Sequence, residues 1–303
     1  MQLNTLNGSD SSEFIEPDVP DNDSAYFGSE KSYTESITSS ALNYQYHSYH
    51  EGEYVLPNDE QEQDRLDLSH HIYLMLLKGE LYRAPVKDPK RVLDMGTGTG
   101  IWAIDFAEVP SNCRFQIDDF EEPWSYRHPF DYIHGRELEG AIRDHDRLFQ
   151  QAFDNLAPNG WFEMASMEVN TDSDDGTHLN ARCLVESVKN LQASSISFGK
   201  DMNSVGTWKE RFEKVGFINV REDVYKLPQS PWPRDPKLKE LGRYHQLNML
   251  EAMPPYTFAL FTRVLGWTRA EIEAILAGVR YELKDLSNHL YSRVHIVYGQ
   301  RPA

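Results

Sequence analysis

Residues 91–124 read RVLDMGTGTGIWAIDFAEVPSNCRFQIDDFEEPW, and their spacing decides the fold. RVLDM (91–95) is a short apolar strand that runs into glycines at alternate positions, Gly96, Gly98 and Gly100. Glycines there let the backbone turn tightly and let a ligand approach without meeting a Cβ. IWAIDFAE (101–108) follows as a helix whose free N–H groups and positive dipole end suit an anionic or carboxylate-bearing group. Asp94 puts a carboxylate beside the turn, which favours a cationic amino or sulfonium ligand over a pyrophosphate. Gly98 to Ala103 also satisfies the GxGxxA pattern of a nicotinamide-dinucleotide site, a weak match by itself. The difficulty lies downstream: only 14 residues separate Gly100 from Phe115, in the next strand candidate, RFQID (114–118).

Outward from this stretch the pattern alternates. FDYIH (130–134), WFEMA (161–165), INVRED (218–223) and SRVHIVYGQ (292–300) are strand candidates. Helical spacing predicts helices over 62–82, with Gly79 as a stop, and over 148–156, ending at APNG. Further helices are expected at 207–217, 238–253 and 268–283. Strands alternating with crossover helices imply an α/β, Rossmann-like fold with a mostly parallel sheet.

The net charge of −18 is uneven. Residues 1–64 hold 14 acids and one lysine, and the other 239 residues are only mildly negative. Residues 1–43, rich in Ser, Asp, Glu and Asn, form an acidic tail expected to stay disordered. No basic stripe with interleaved aromatics points to nucleic acid, and no apolar run suits a membrane span. Cys113 and Cys183 have no metal-site or disulfide spacing, which suits a reducing compartment, cytoplasmic or nuclear. No metal site is expected: His70-His71 is only superficially a ligand pair, since adjacent helical residues diverge.

With these residues in hand, the chain resembles the class I S-adenosylmethionine-dependent methyltransferases, and within them the fungal LaeA-like group of secondary metabolism. The resemblance spans about 44–303 and rests on GEYVLPNDEQEQDRLDLSHH, RVLDMGTGTGIWAIDFA, IDDFEEPW, FDYIHGREL, LFQQAFDNLAPNGWFEM, VYKLPQSPWPRDPKLKELG and HLYSRVHIVYGQRP. It implies S-adenosyl-L-methionine as cofactor, with Asp94, Gly96, Gly98 and Gly100 cradling its methionine end. Asp118 and Asp119, with Phe120, match the family's acidic pair near the adenine. His134, Gly135 and Arg136 would lie beneath the sulfonium. Tyr46, Tyr54 and Arg65 belong to an N-terminal cover (44–90) over a cofactor-binding core (91–166), and residues 167–303 supply roof helices and C-terminal strands.

The family ordinarily has about twenty more residues between Ala107 and Val109, forming the second strand, its ribose-binding acid and the crossover after it. Two repairs are open. RFQID stays the third strand and closes up beside the first, leaving the ribose without its acid. Alternatively it takes the second strand's place, where Asp119, 19 residues after Gly100, has the offset of a ribose-binding acid. A third account is a gene reading that has dropped the segment. Either repair leaves a sheet one strand short with a new edge.

Methyl transfer needs alignment of nucleophile, methyl carbon and sulfur, and a general base only when the acceptor is protonated. His134 and Glu163, at strand ends, are the candidate bases; His145, His245 and His289 are more distant ones. The leading function is methyl transfer to a small-molecule intermediate, or regulation of its pathway. The alternative is a cofactor-poor scaffold that works through regulatory protein partners, as in velvet-type complexes.

Overall fold

The structure is a computed structural model that describes residues 13–18, 60–107 and 112–303. Tyr46 and Tyr54 lie outside them. Helix α1 (Glu60–Leu76) ends just before Gly79, the expected stop. Lys78 and Gly79 turn left-handed there, and the Gly79 N–H closes onto the Leu74 carbonyl at 2.7 Å. Strand β1 (Val92–Met95) and helix α2 (Ile101–Ala107) flank the glycine turn. There follow β2 (Phe130–Arg136), α3 (His145–Asn155) and β3 (Leu156–Met167). The second half contains α4 (Arg182–Phe198), α5 (Trp208–Val215), β4 (Ile218–Pro228), α6 (Pro236–Leu260), α7 (Arg269–Lys284) and β5 (Tyr291–Gln300).

The five strands lie in the order β1-β2-β3-β5-β4. β1, β2 and β3 run parallel, and β5 is antiparallel to both β3 and β4. The register aligns Asp94 with His134 and His134 with Glu163, so the three share one row across three strands. That face packs on α1, α2 and α6 through Tyr73, Trp102, Leu241 and Ile296. The other face packs on α3 and α5 through Ile133, Phe149, Phe162, Trp208 and Phe212. A separate apolar cluster joins α4, α6 and α7 into the roof.

Three expectations need correction. RFQID forms no strand: residues 113–119 run irregularly, with Phe115 57% and Ile117 76% exposed. A strand in either proposed place would bury alternate apolar side chains, and these two have no facing layer. Among the described residues β1 therefore pairs only with β2 and is the sheet edge. APNG is no helix stop, because α3 gives way directly to β3 at Leu156. Asn159 does take the left-handed conformation (φ 65°), whereas a Cβ on Gly160 would crowd the Ala157 and Asp131 carbonyls. Finally, residues 13–18 of the acidic tail are ordered against the body. Ile15 is buried there, the Asp18 N–H donates to the Trp232 carbonyl, and the Arg234 N–H donates to that of Glu16.

At the far end of the sheet, His295 lies between Glu222 (2.7 Å) and Glu168 (2.9 Å). Burial alone would lower its pKa, but the two carboxylates outweigh that and hold it at about 9. A raised histidine pKa stabilises the fold fully below its ordinary 6.5, and the contribution disappears as pH rises through about 9. Chemical denaturation of wild type should therefore lose roughly 3 kcal/mol between these limits, and His295→Gln should abolish that alkaline slope.

Candidate functional site

The C-terminal ends of β1 and β2 open onto a cavity of about 1860 Å³. With no strand outside β1 among the described residues, the cavity runs from the glycine turn along Arg91–Asp94 to the irregular 112–127 segment. On the other side it passes beneath the roof, past Leu191, Met202, Met249 and Met253.

The glycine turn forms one wall. Gly96, Gly98 and Gly100 all have positive φ (61°, 55° and 83°). A Cβ on Gly96 would sit inside the Leu138 side chain, and one on Gly100 would come within 2.7 Å of the Phe115 ring. These two glycines are thus required by packing. Gly98 meets only Leu66, at 3.3 Å, and lines the cavity, so its missing side chain leaves space for a ligand. Thr97 Oγ1, within the same turn, is buried with no partner among the described residues. A cradle that a Cβ would fill, together with a waiting polar atom and Asp94, fits the methionine end of S-adenosylmethionine.

Helix α1 closes over this wall through Leu66, Asp67, His70 and Tyr73. Leu66 approaches Gly98, and Thr99 Oγ1 donates to Asp67 at 2.6 Å. His70 Nε2 meets Asp105 of α2 at 3.0 Å, while its Nδ1 accepts from Arg136 at 3.1 Å. Burial, then the Arg136 charge, lowers the His70 pKa, which suits a neutral ring bridging donor and acceptor. The Tyr73 hydroxyl donates to Glu137, which also accepts from the Met167 N–H at 3.2 Å. Arg65 is held by both oxygens of Glu62 (2.8 and 2.6 Å) and by Asn248 Oδ1 (3.0 Å), and it is among the residues that line the cavity.

The remaining sequence candidates divide. Arg136 lines the cavity, its guanidinium 4.9 Å from the Tyr73 ring centroid. Asp118, Asp119 and Phe120 line its outer end, with both acids exposed. Asp119 Oδ1 accepts from the Glu121 N–H at 2.9 Å, which stabilises a local turn where no strand forms.

The candidate bases are placed elsewhere. His134 is 2% exposed, stacked under Trp102 (3.7 Å between ring centroids, 5° between planes), with Nδ1 2.7 Å from Asp94 Oδ1. Its role is to position Asp94. Burial lowers its pKa against the pull of the Asp94 carboxylate. Glu163 accepts the backbone N–H groups of Arg83 (2.9 Å) and Ala84 (2.6 Å) and so anchors the segment between α1 and β1. Neither is among the residues that line the cavity, where a base was expected. His245 is wholly buried in the core, and His289 pairs with Asp175 at 2.5 Å.

Sequence reasoning missed Glu137 and Glu139. Both lie just past β2 and line the cavity, and the alternation of acid and apolar residue in RELEG (136–140) was their only signal. Among the described residues no group of acidic, histidine or cysteine side chains could hold a metal ion, and no helix is long and apolar enough to cross a membrane.

Comparison with known proteins agrees with this geometry. Residues 68–229 match a family described as a methyltransferase domain. The chain is 35% identical over 295 residues to the methyltransferase pytC of Aspergillus terreus, covering 88% of this chain and 91% of that one. It is 32% identical over 284 residues to the secondary metabolism regulator LAE1 of Cochliobolus heterostrophus (85% and 92% covered). With the probable methyltransferase tdiE of Emericella nidulans it shares 32% over 262 residues (80% and 82%). Each alignment runs over more positions than the covered share of this chain supplies, so each relative carries residues that this chain lacks. S-adenosylmethionine is accordingly the expected cofactor. The chain belongs to the class I S-adenosylmethionine-dependent methyltransferases, in the LaeA-like group of fungal secondary metabolism.

Proposed function

We propose that the chain transfers a methyl group from S-adenosylmethionine to a small-molecule intermediate of secondary metabolism. The observation that carries this reading is one cavity that joins the glycine turn to an apolar wall beneath the roof. The turn and Asp94 suit the amino-acid end of the cofactor. Arg65 and Arg136 supply cations for its carboxylate, and Asp118 and Asp119 supply exposed acceptors for the ribose hydroxyls. When bound, the cofactor supplies an electrophilic methyl group. The protein's part is to hold it in line with the acceptor and to exclude water.

A second reading has its own support. LAE1 is named a regulator, and the edge of β1, unpaired among the described residues, leaves the adenosine end of the cavity open on the side where another strand would stand. On that reading the chain works through protein partners and binds cofactor poorly. Calorimetry of the purified protein with S-adenosylmethionine separates the two. Micromolar binding supports the enzyme, and no heat up to millimolar cofactor rejects it.

A further inference from the structure

Glu139 sits three residues beyond β2, in the turn that follows Leu138, the side chain packed against Gly96. It lines the cavity, is 8% exposed, and its two carboxyl oxygens are treated differently. Oε1 accepts the Ser204 hydroxyl proton at 2.8 Å. Ser204 Oγ in turn accepts from the Trp208 indole N–H at 3.1 Å and has His145 Nε2 at 2.9 Å. A serine oxygen has one proton and two lone pairs. With that proton on Glu139 and one lone pair on Trp208, His145 completes the set as an Nε2–H donor. The network is therefore saturated, and it fixes the carboxyl from behind. Oε2 is buried with no partner among the described residues. An unsatisfied buried carboxyl oxygen costs about 1–3 kcal/mol, so its persistence beside a cavity points to a ligand group.

The electrostatics define when this oxygen becomes a base. Burial raises the Glu139 pKa well above the carboxylate range, the Ser204 bond opposes this, and Glu137 and Asp201 add to it. Of the cations lining the same cavity, Arg65 and Arg136 act on Glu137, and Lys200 Nζ donates to the Ala141 carbonyl. His145, behind Ser204, is held at a pKa of about 4 by burial and then by the Arg211 charge. With the cavity empty, the carboxyl holds its proton. A cation in the same cavity favours the ionised form.

We propose that Glu139 is the proton acceptor for the methylated group and that it becomes competent only when the sulfonium cation of the cofactor shares its cavity. The inference rests on the methyltransferase reading above, and it implies an acceptor that carries N–H or O–H. That hydrogen passes to Oε2 as the heteroatom bonds to the methyl carbon. The carbon–sulfur bond breaks with its electron pair left on sulfur, so charge and atoms balance without a further reagent.

The test needs no knowledge of the acceptor. S-adenosylmethionine and S-adenosylhomocysteine differ in the methyl group and its positive charge, so binding of each is followed by calorimetry in buffers of different ionisation heat. The expected result is greater proton release with S-adenosylmethionine, with the excess lost in Glu139→Gln, which retains an oxygen for Ser204. In parallel, the difference infrared spectrum should lose one protonated carboxylic acid carbonyl band on binding S-adenosylmethionine but not S-adenosylhomocysteine, and that loss should be absent in Glu139→Gln. Equal proton release for the two ligands, or an excess that survives in Glu139→Gln, overturns the proposal. Failure of wild type to bind either ligand instead removes the methyltransferase reading on which it stands.

Discussion

Gly98→Arg should fold and yet lose S-adenosylmethionine affinity by at least about a hundredfold, roughly 3 kcal/mol. Folding should survive because a Cβ at this position meets only the end of the Leu66 side chain, at 3.3 Å. The left-handed φ of 55° costs a non-glycine residue about 1–2 kcal/mol, a fraction of an ordinary domain's stability. Binding should fail because the side chain enters the one part of the turn that packing leaves open. Gly96 would be a poorer choice, since there the Cβ collides with Leu138 and loss of binding could not be separated from loss of structure. The check is calorimetry beside a thermal melt: a variant that melts like wild type and still binds would remove the glycine turn from the cofactor site.

The second large effect concerns stability. Glu163→Ala should destabilise the protein by about 3–4 kcal/mol, because it orphans a buried and a half-buried backbone N–H and opens a cavity beneath Arg83 and Ala84. Glu163→Gln, which keeps one acceptor oxygen, should cost less and also change the pH profile. Burial raises the Glu163 pKa from 4.5 to about 7 against the pull of the Ala84 and Arg83 amides. A group raised in the folded state binds more protons there, so its contribution is complete below about pH 4.5 and is lost as pH rises through about 7. Urea titrations across this range should show a decline of roughly 3 kcal/mol in wild type and a flatter line in Glu163→Gln. Unchanged stability in the alanine variant would contradict the anchoring role.

These two positions mark what the sequence could and could not convey. The glycine turn was legible because three glycines and an acid between a strand and a helix have a narrow range of uses. The parallel core was equally legible, from apolar runs separated by amphipathic ones. Asp94, His134 and Glu163 were all chosen from strand ends, but their burial depends on the neighbours above each face. Trp102 covers His134, and the 83–84 backbone covers Glu163, and both covers come from elsewhere in the chain. RFQID had strand-like alternation without a partner, and local propensity does not make a strand that nothing faces. Glu139 was hidden for the opposite reason: its meaning comes from Ser204, 65 residues further on, which ties it to Trp208 and to the nearby His145.

The unpaired flank of β1 also bears on how tightly site and scaffold are joined. β1 is four residues long, hydrogen-bonded on one side only among the described residues, and it carries the glycine turn at its end. Local opening free energies follow the number of contacts that must break, so this strand belongs to the low-stability end of the sheet. A ligand held at the turn raises the free energy of every opening that releases it, local fraying of Val92–Met95 and global unfolding alike. Because the local opening starts from the smaller value, the proportional gain is largest there, and amide protection in β1 is the most sensitive reporter of the cofactor.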